Sequence, residues 1–307
     1  MNVHDWALIA FTILTQMSVG AMWALGIAHY YANRKYGMEE ADRLSDRALM
    51  ALVPVIVLAF IASLFHLGDP LNSYRAVSNL GSSWLSREIF FGVLFAVLAV
   101  GFAILQWRKL GSFGMRNGIA WLAALAGLGL VLSEAMVYYT LESQPAWNSW
   151  ATIVFFFVTT FLLGGLAVGA AFVANYGYVQ RKAPGCADEQ CTLMRDALRW
   201  IAVASIVLVG VELVVLPLYL ASVAMGSAAG MASVEMMAGP FRLALILRIA
   251  LAFVGAGVFA VFLYQNAQSA GREKVLGTLA YSAFLIVLVA ETLGRIIFYA
   301  AHVRIGI

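Results

Sequence analysis

The sequence predicts an all-α fold: a polytopic membrane protein of eight transmembrane helices, one integral membrane domain over residues 1–307, with both termini outside the cytoplasm. Three observations predict it. Hydrophobic residues make up 63% of the 307-residue chain and charged residues only 11%, and the mean hydropathy is +0.89. A soluble domain carries roughly 45–50% apolar and about 25% charged residues. Apolar stretches of about 20 residues, each long enough to cross a hydrocarbon core of about 30 Å, recur along nearly the whole chain. Finally, the basic residues are gathered on alternate connections.

The spans follow from apolar length and from Gly, Pro and charge punctuation. The first, 6–31, opens behind His4-Asp5 and stops before Arg34-Lys35. The second, 49–67, lies between Arg47 and Gly68-Asp69-Pro70. The third, 88–107, begins at Glu88 and ends against Arg108-Lys109, and the fourth, 118–139, begins beyond Arg116. The fifth, 151–178, follows Pro145-Ala146-Trp147 and runs to the Arg181-Lys182 pair. Span six, 200–222, starts after Arg199 and is interrupted by Pro217. Span seven, 241–265, follows Pro240, and span eight, 275–301, lies between Lys274 and His302. The longest connections are 32–47, 68–87, 179–199 and 223–240.

Cytoplasmic loops retain Lys and Arg, which sets the orientation. Arg34, Lys35, Arg43, Arg47, Arg108, Lys109, Arg116, Arg181, Lys182, Arg195, Arg199, Arg272 and Lys274 fall in the odd-numbered connections, 13 of the 19 basic residues. The opposite side holds Arg75, Arg87, Arg242 and Arg304, while Arg248 and Arg295 lie within spans. The net charge of +3 reflects these loops, and nucleic acid is not an expected partner. His4, His66 and His302 sit at the outer ends of spans, and His29 alone at an inner end. Cys186 and Cys191 have neither a zinc spacing nor a second ligand pair, so no metal is expected. They read as free thiols in a loop.

Ionisable residues inside a span cost about 2.5–3.5 kcal/mol each on insertion scales and are functional candidates by default. Glu134, Glu212 and Glu291 recur on the three even-numbered spans four, six and eight. They are expected either to form interhelical hydrogen bonds or to line a proton path. In span eight, Glu291, Arg295, Tyr299 and His302 share one helical face. Glu291 and Arg295 are expected to neutralise each other, with Tyr299 and His302 nearer a wet outer cavity. The segment between spans two and three joins His66 to Glu88 through Tyr74, Arg75, Asn79, Trp84 and Arg87. A His of ordinary pKa about 6.5 exchanges protons near neutral pH. A carboxylate at a helix start beside Arg87 can relay the proton, and Tyr74 and Trp84 can pack on an aromatic ring.

Three segments carry a family resemblance: His4-Asp5-Trp6-Ala7-Leu8 with Phe11-Thr12, FIASLFHLGDP with its NLGSSWLSRE continuation, and AETLGRIIFYAAH at the end. Together they resemble the membrane-anchor subunits of dimethyl-sulfoxide-reductase-type molybdoenzymes. Tyr138 and Pro145-Ala146-Trp147 add to the likeness, and spans five to seven match by hydrophobicity alone. The resemblance implies an anchor in the cytoplasmic (inner) membrane that oxidises menaquinol at the outer face. It implies an iron–sulfur electron-transfer subunit and a molybdopterin catalytic subunit as partners there, with molybdopterin and clusters confined to them and no haem in the anchor. Carried over by position, His66 is the hydrogen-bond partner and first proton acceptor of a quinol hydroxyl, and Glu88 helps release protons outward. Arg75, Asn79 and Arg87 become supports or contacts for the iron–sulfur subunit, and His4 a docking candidate. Alone, such a subunit does not reduce the terminal acceptor.

Two other readings compete. A quinone-reactive anchor of the polysulfide-reductase type fits the same plan with a partial proton path, and it allows the opposite electron direction. A secondary or proton transporter fits the intramembrane glutamates, although Pro217 after Glu212 in span six has no equivalent in spans four or eight.

Overall fold

The computed structural model describes residues 3–66, 77–182, 187–269 and 271–306. It is an all-helical bundle, with no strand among the described residues. Eight helices are long and apolar enough to cross a membrane. In chain order the helices are α1 (Val3–Tyr36), α2 (Met38–His66), α3 (Trp84–Trp107), α4 (Phe113–Tyr139), α5 (Trp150–Lys182) and α6 (Ala187–Gly226). A short helix α7 (Ala228–Ala238) follows. The bundle closes with α8 (Arg242–Asn266) and α9 (Glu273–Ala300). Each predicted span overlaps one long helix.

The connections differ more from expectation. The stretch 32–47 is helical almost throughout, because α1 and α2 continue past the apolar core and break only at Gly37, whose φ of +89° suits a residue without a Cβ. Arg34 and Lys35 in the last turn of α1 and Glu39 and Glu40 in the first turn of α2 oppose the local helix dipoles, which favours these extensions. The stretch 179–199 is likewise mostly helix, and 223–240 folds its middle into α7. Ser83, Ser112 and Ser227 cap α3, α4 and α7, each side chain accepting the backbone N–H three residues on.

Helix α1 is the centre of the bundle, packed against α2, α4, α5 and α9. Its crossing with α5 is backbone on backbone. A Cβ built on Gly20 would overlap the Thr160 carbonyl oxygen, and one on Gly164 would overlap the Gly20 carbonyl carbon. Small residues at such a crossing are how membrane helices gain contact without a hydrophobic driving force. Helix α8 contains a π-helical stretch, Phe253–Val258, where Gly255 meets Val287 of α9. Pro54 and Pro217 lie inside α2 and α6. The apolar side chains of Val57, Leu58, Ile61 and Leu64 on α2, and of Val207, Val214 and Leu218 on α6, are exposed, as lipid-facing positions require.

Two ends of the bundle can be told apart. The basic end carries the α1–α2, α3–α4, α5–α6 and α8–α9 connections. The other, the charge-poor end, carries the start of α1, the end of α9, the α4–α5 connection and α7.

Candidate functional site

Polar residues on α1 prepare the charge-poor half. Thr12 and Ser18 each donate a hydroxyl to a carbonyl of the preceding turn, which satisfies them inside an apolar helix, while the Thr15 hydroxyl lies within reach of both the Phe11 carbonyl and Glu134. Together with Gln16 they are buried. Glu134 comes to them from α4, itself only 1% exposed. Its Oε1 accepts from the Thr15 hydroxyl at 2.7 Å and its Oε2 from Gln16 Nε2 at 3.0 Å. The Gln16 carbonyl oxygen accepts in turn from Arg295 Nη2 of α9 at 2.8 Å. Glu134, Gln16 and Arg295 thus form one hydrogen-bonded series across three helices. The Arg295 guanidinium also lies over the Phe156 ring at 3.9 Å, a cation–π contact that offsets part of its desolvation.

Glu88 sits one turn into α3, on the buried face with Ser86, Gly92 and Phe95. It interacts electrostatically with Glu134. Above this level, toward the charge-poor end, is an aromatic cluster. Tyr138 packs edge-on against Trp147, Phe298 and Tyr299 with centroids 5.1–5.6 Å apart. The Tyr138 and Tyr299 hydroxyls are 3.0 Å apart, and Trp147 Nε1 donates to the Phe298 carbonyl at 2.7 Å. His302 lies on Trp147 with ring centroids 4.1 Å apart, its Nδ1 2.9 Å from the Tyr299 carbonyl oxygen.

A second charged group occupies the neighbouring helices. Arg248 of α8 is ion-paired with Glu212 of α6 and faces the Phe155 ring. Glu291 of α9 accepts a hydrogen bond from Thr159 at 2.6 Å. Arg248 reaches this position because residue 294 is glycine: a Cβ there would stand 2.5 Å from Arg248 Nε.

The structure redistributes several of the expected contacts. The i, i+4 pair of Glu291 and Arg295 does not form an ion pair, because each turns to another helix, Glu291 to Thr159 and Arg295 to Gln16. Glu212 has a full guanidinium partner rather than a neutral interhelical bond. His302 lies just past the end of α9 and is half-buried against Trp147, so it extends the aromatic cluster rather than the helical face. Arg87 does not neutralise Glu88. Its Nε and Nη2 donate to the Leu80 and Gly81 carbonyls, each at 2.8 Å, and its guanidinium covers the Trp84 ring at 4.1 Å. Arg87 and Trp84 thereby brace the turn ahead of α3. Asn79 is exposed in that turn, its carbonyl accepting from Ser82 and Ser83. Cys191 is buried on α6, with Sγ 3.3 Å from Glu273 Oε1, and is not a loop thiol. His66 closes α2, but its side chain, that of His4, and all of Tyr74, Arg75 and Cys186 lie outside the described residues. Among the described residues no three His, Cys, Asp or Glu side chains converge as metal ligands.

The partners that the sequence reading missed are Thr15, Gln16, Thr159 and Arg248. Arg248 carried the signal, a charge inside an apolar span. The other three did not, since Thr and Gln occur in membrane helices with their bonds closed locally.

Comparison with known proteins agrees in extent with this architecture. Residues 1–301 match the model of the family described as DMSO reductase anchor subunit (DmsC). The sequence is 27% identical over 305 residues to the anaerobic dimethyl sulfoxide reductase chain YnfH of Escherichia coli (strain K12), a match that takes in 99% of this protein and 96% of that one. It is 28% identical over 310 residues to a further anaerobic dimethyl sulfoxide reductase chain of the same organism, again over 99% and 96% of the two lengths. A shorter match, 25% over 181 residues, joins it to a sulfite dehydrogenase subunit of Allochromatium vinosum, over 56% of this protein and 54% of that one. The helical bundle, its eight spans and the family match extend over the same residues, and the chain belongs to the DMSO reductase anchor subunit (DmsC) family.

Proposed function

We propose that this anchor binds and oxidises menaquinol in the charge-poor half of the bundle, on the outer side of the inner membrane, and passes the electrons to an iron–sulfur subunit docked there. The observation that carries this reading is that Glu88 and the Glu134–Gln16–Arg295 series are buried in the same half of the bundle as the Tyr138, Trp147, Phe298 and Tyr299 rings. Carboxyls in a water-poor site next to flat aromatic surfaces suit a planar, dihydroxylated ring that must give up protons as it gives up electrons.

The balance is simple. A quinol losing two electrons also loses two hydroxyl protons. The electrons leave for the iron–sulfur subunit, which relays them to a molybdopterin catalytic subunit. His66, at the end of α2, takes the first proton, and Glu88 takes part in releasing protons outward. Glu134 sits one step deeper, held in place by Thr15 and Gln16. Arg295 is linked to Glu134 through Gln16 and cannot itself carry a proton away.

The test is made on the complex purified with its partner subunits. His66→Ala and Glu88→Gln are expected to lower quinol-linked turnover by about 10²-fold or more, the usual size of a lost proton acceptor. Activity with an artificial electron donor that bypasses the anchor stays at the wild-type level. Unchanged quinol oxidation in both variants overturns the assignment.

A second reading concerns direction only. One relative is named a sulfite dehydrogenase subunit and others are named reductase chains. The same site run backwards would reduce a quinone, with Glu88 and His66 supplying protons. Measuring both directions with the native partner subunits separates the two.

A further inference from the structure

Behind the aromatic cluster, α5, α6, α8 and α9, with Met237 of α7, line a partly open cavity of about 40 Å³. Its wall holds Glu291, Arg248 and Arg295 together with Thr152, Thr159 and Tyr219. Charged groups in the bilayer interior are expected to pair completely, since an unmet donor or acceptor there costs roughly 1–3 kcal/mol and a charged one more. Here they do not. Glu291 Oε1, Arg248 Nε, Arg295 Nε and Glu212 Oε2 are all buried without a hydrogen-bond partner among the described residues. The four residues are each at most 8% exposed. Three of them line the cavity, and the fourth is ion-paired with one of those three.

We infer that this cavity is a hydrated, proton-exchanging site centred on Glu291, separate from the Glu88–Glu134 pair. Volume and chemistry agree on water as the occupant. A water needs at least about 10–15 Å³ and two to four polar partners, and this cavity offers room for more than one with three orphaned atoms around it. Glu291 gives one oxygen to Thr159 and leaves the other without a partner at the cavity wall, so a water bound there receives its proton and returns it. The groups facing Glu291 are Arg248 from α8, with Glu212 of α6 behind it, Arg295 on its own helix and Thr159 from α5.

Two features make it a compartment of its own. The hydrogen-bonded connection from Glu134 toward this group runs through Gln16 and Arg295, and a guanidinium does not release its proton. The lining also continues through Thr152, Tyr219 and Met237 toward α7 at the charge-poor end, where the Val303 backbone N–H is bonded to Ser233. Met237 of α7 therefore borders the cavity, and exchange with bulk water is expected to pass on that side.

The inference does not depend on quinol chemistry, and neither does its test. Infrared difference spectra of the intact complex are recorded while H2O is exchanged for D2O, with no quinol present. The wild type is expected to show a protonated-carboxyl C=O band that shifts on exchange. That band disappears in Glu291→Gln and persists in Glu88→Gln. Met237→Trp, which adds bulk under α7, slows the exchange of the same band without removing it. A map of the complex at a resolution that shows waters places density within hydrogen-bond distance of Glu291 Oε1. A wild-type spectrum with no exchanging band assignable to Glu291, or a dry cavity in such a map, overturns the inference. Because the readout is spectroscopic, loss of quinol activity in any variant leaves the result unaffected.

Discussion

The two ends of this bundle use the same residue types in opposite ways. At the basic end Asp42 and Asp46 on α2 share Lys109, with Nζ to carboxylate distances of 2.6 and 2.8 Å. Gln106 bonds to both aspartates, and His29 closes the group on Asp42 at 2.9 Å. Both aspartates have a cation beside them, and water reaches the rim: the Lys109 side chain is 43% exposed. In the charge-poor half, Glu88, Glu134, Glu212 and Glu291 are buried, with Arg248 and Arg295 as the buried cations. Surface pairs are worth little and cost little, so they accumulate where topology needs charge. Buried carboxyls in excess of cations are costly, and a fold keeps them when their protons are used. The proposed chemistry is accordingly placed in the charge-poor half.

The largest expected effect comes from breaking the buried pair. Arg248→Met leaves Glu212 deep in the bundle without a guanidinium, and losing one partner of such a pair costs about 3–5 kcal/mol. Thermal unfolding of the purified complex, followed by loss of the soluble assembled form, is expected to move sharply down. The double variant Glu212→Met/Arg248→Met removes both charges and is expected to recover most of that loss, because the desolvation cost goes with them. A double variant no more stable than Arg248→Met would mean that Arg248 is held by its other contacts, Phe155 and Gly294, rather than by Glu212.

How far the molecule is readable from its sequence depends on which residue is asked about. The spans are legible because a bilayer imposes length and apolarity on each helix independently of its neighbours. Glu134, Glu212 and Glu291 stand out for the same reason, as charges where the solvent forbids them. Their partners are not legible, because spacing along one helix fixes a face and says nothing of which helix the face meets. Glu291 and Arg295 show this most clearly. Their i, i+4 spacing allows a mutual pair, yet Thr159 and Gln16 from α5 and α1 take their place. The α1–α5 contact of Gly20 on Gly164 sets those partners, and glycines 144 positions apart do not name each other as a pair.

A middle-sized effect is expected at Glu134. Glu134→Gln preserves shape and still accepts from Thr15, but its amide nitrogen opposes the Gln16 amide nitrogen, and the titratable carboxyl is gone. Quinol-linked turnover of the complex is expected to fall by about 10²-fold, equivalent to about 2.7 kcal/mol, with artificial-donor activity and thermal stability near wild type. Equal loss of both activities would make Glu134 a structural residue and shift the proton chemistry entirely to Glu88. Glu134→Asp, which keeps the carboxyl but shortens the reach to Thr15 and Gln16, is expected to retain part of the rate.

The smallest effect belongs to the basic end and tests the other half of the contrast. Lys109 adopts a φ of +53°, unusual for a residue with a side chain, and closes α3 with its own N–H bonded to the Gln106 carbonyl and that of Leu110 to Leu105. Its ammonium is what Asp42 and Asp46 hold. Lys109→Gly loses both salt bridges but relieves the backbone, since glycine adopts positive φ freely. An exposed pair contributes about 0–1 kcal/mol, weakened further by salt, so the two changes nearly cancel. Lys109→Met keeps the strained backbone and loses the bridges, and is expected to be the less stable of the two variants by a few tenths of a kcal/mol up to about 1 kcal/mol. Both are expected to keep full quinol-linked turnover. A turnover defect in Lys109→Gly would show that the two ends are coupled, and that the chemistry of the charge-poor half depends on how firmly α2 and α3 are joined at the opposite end.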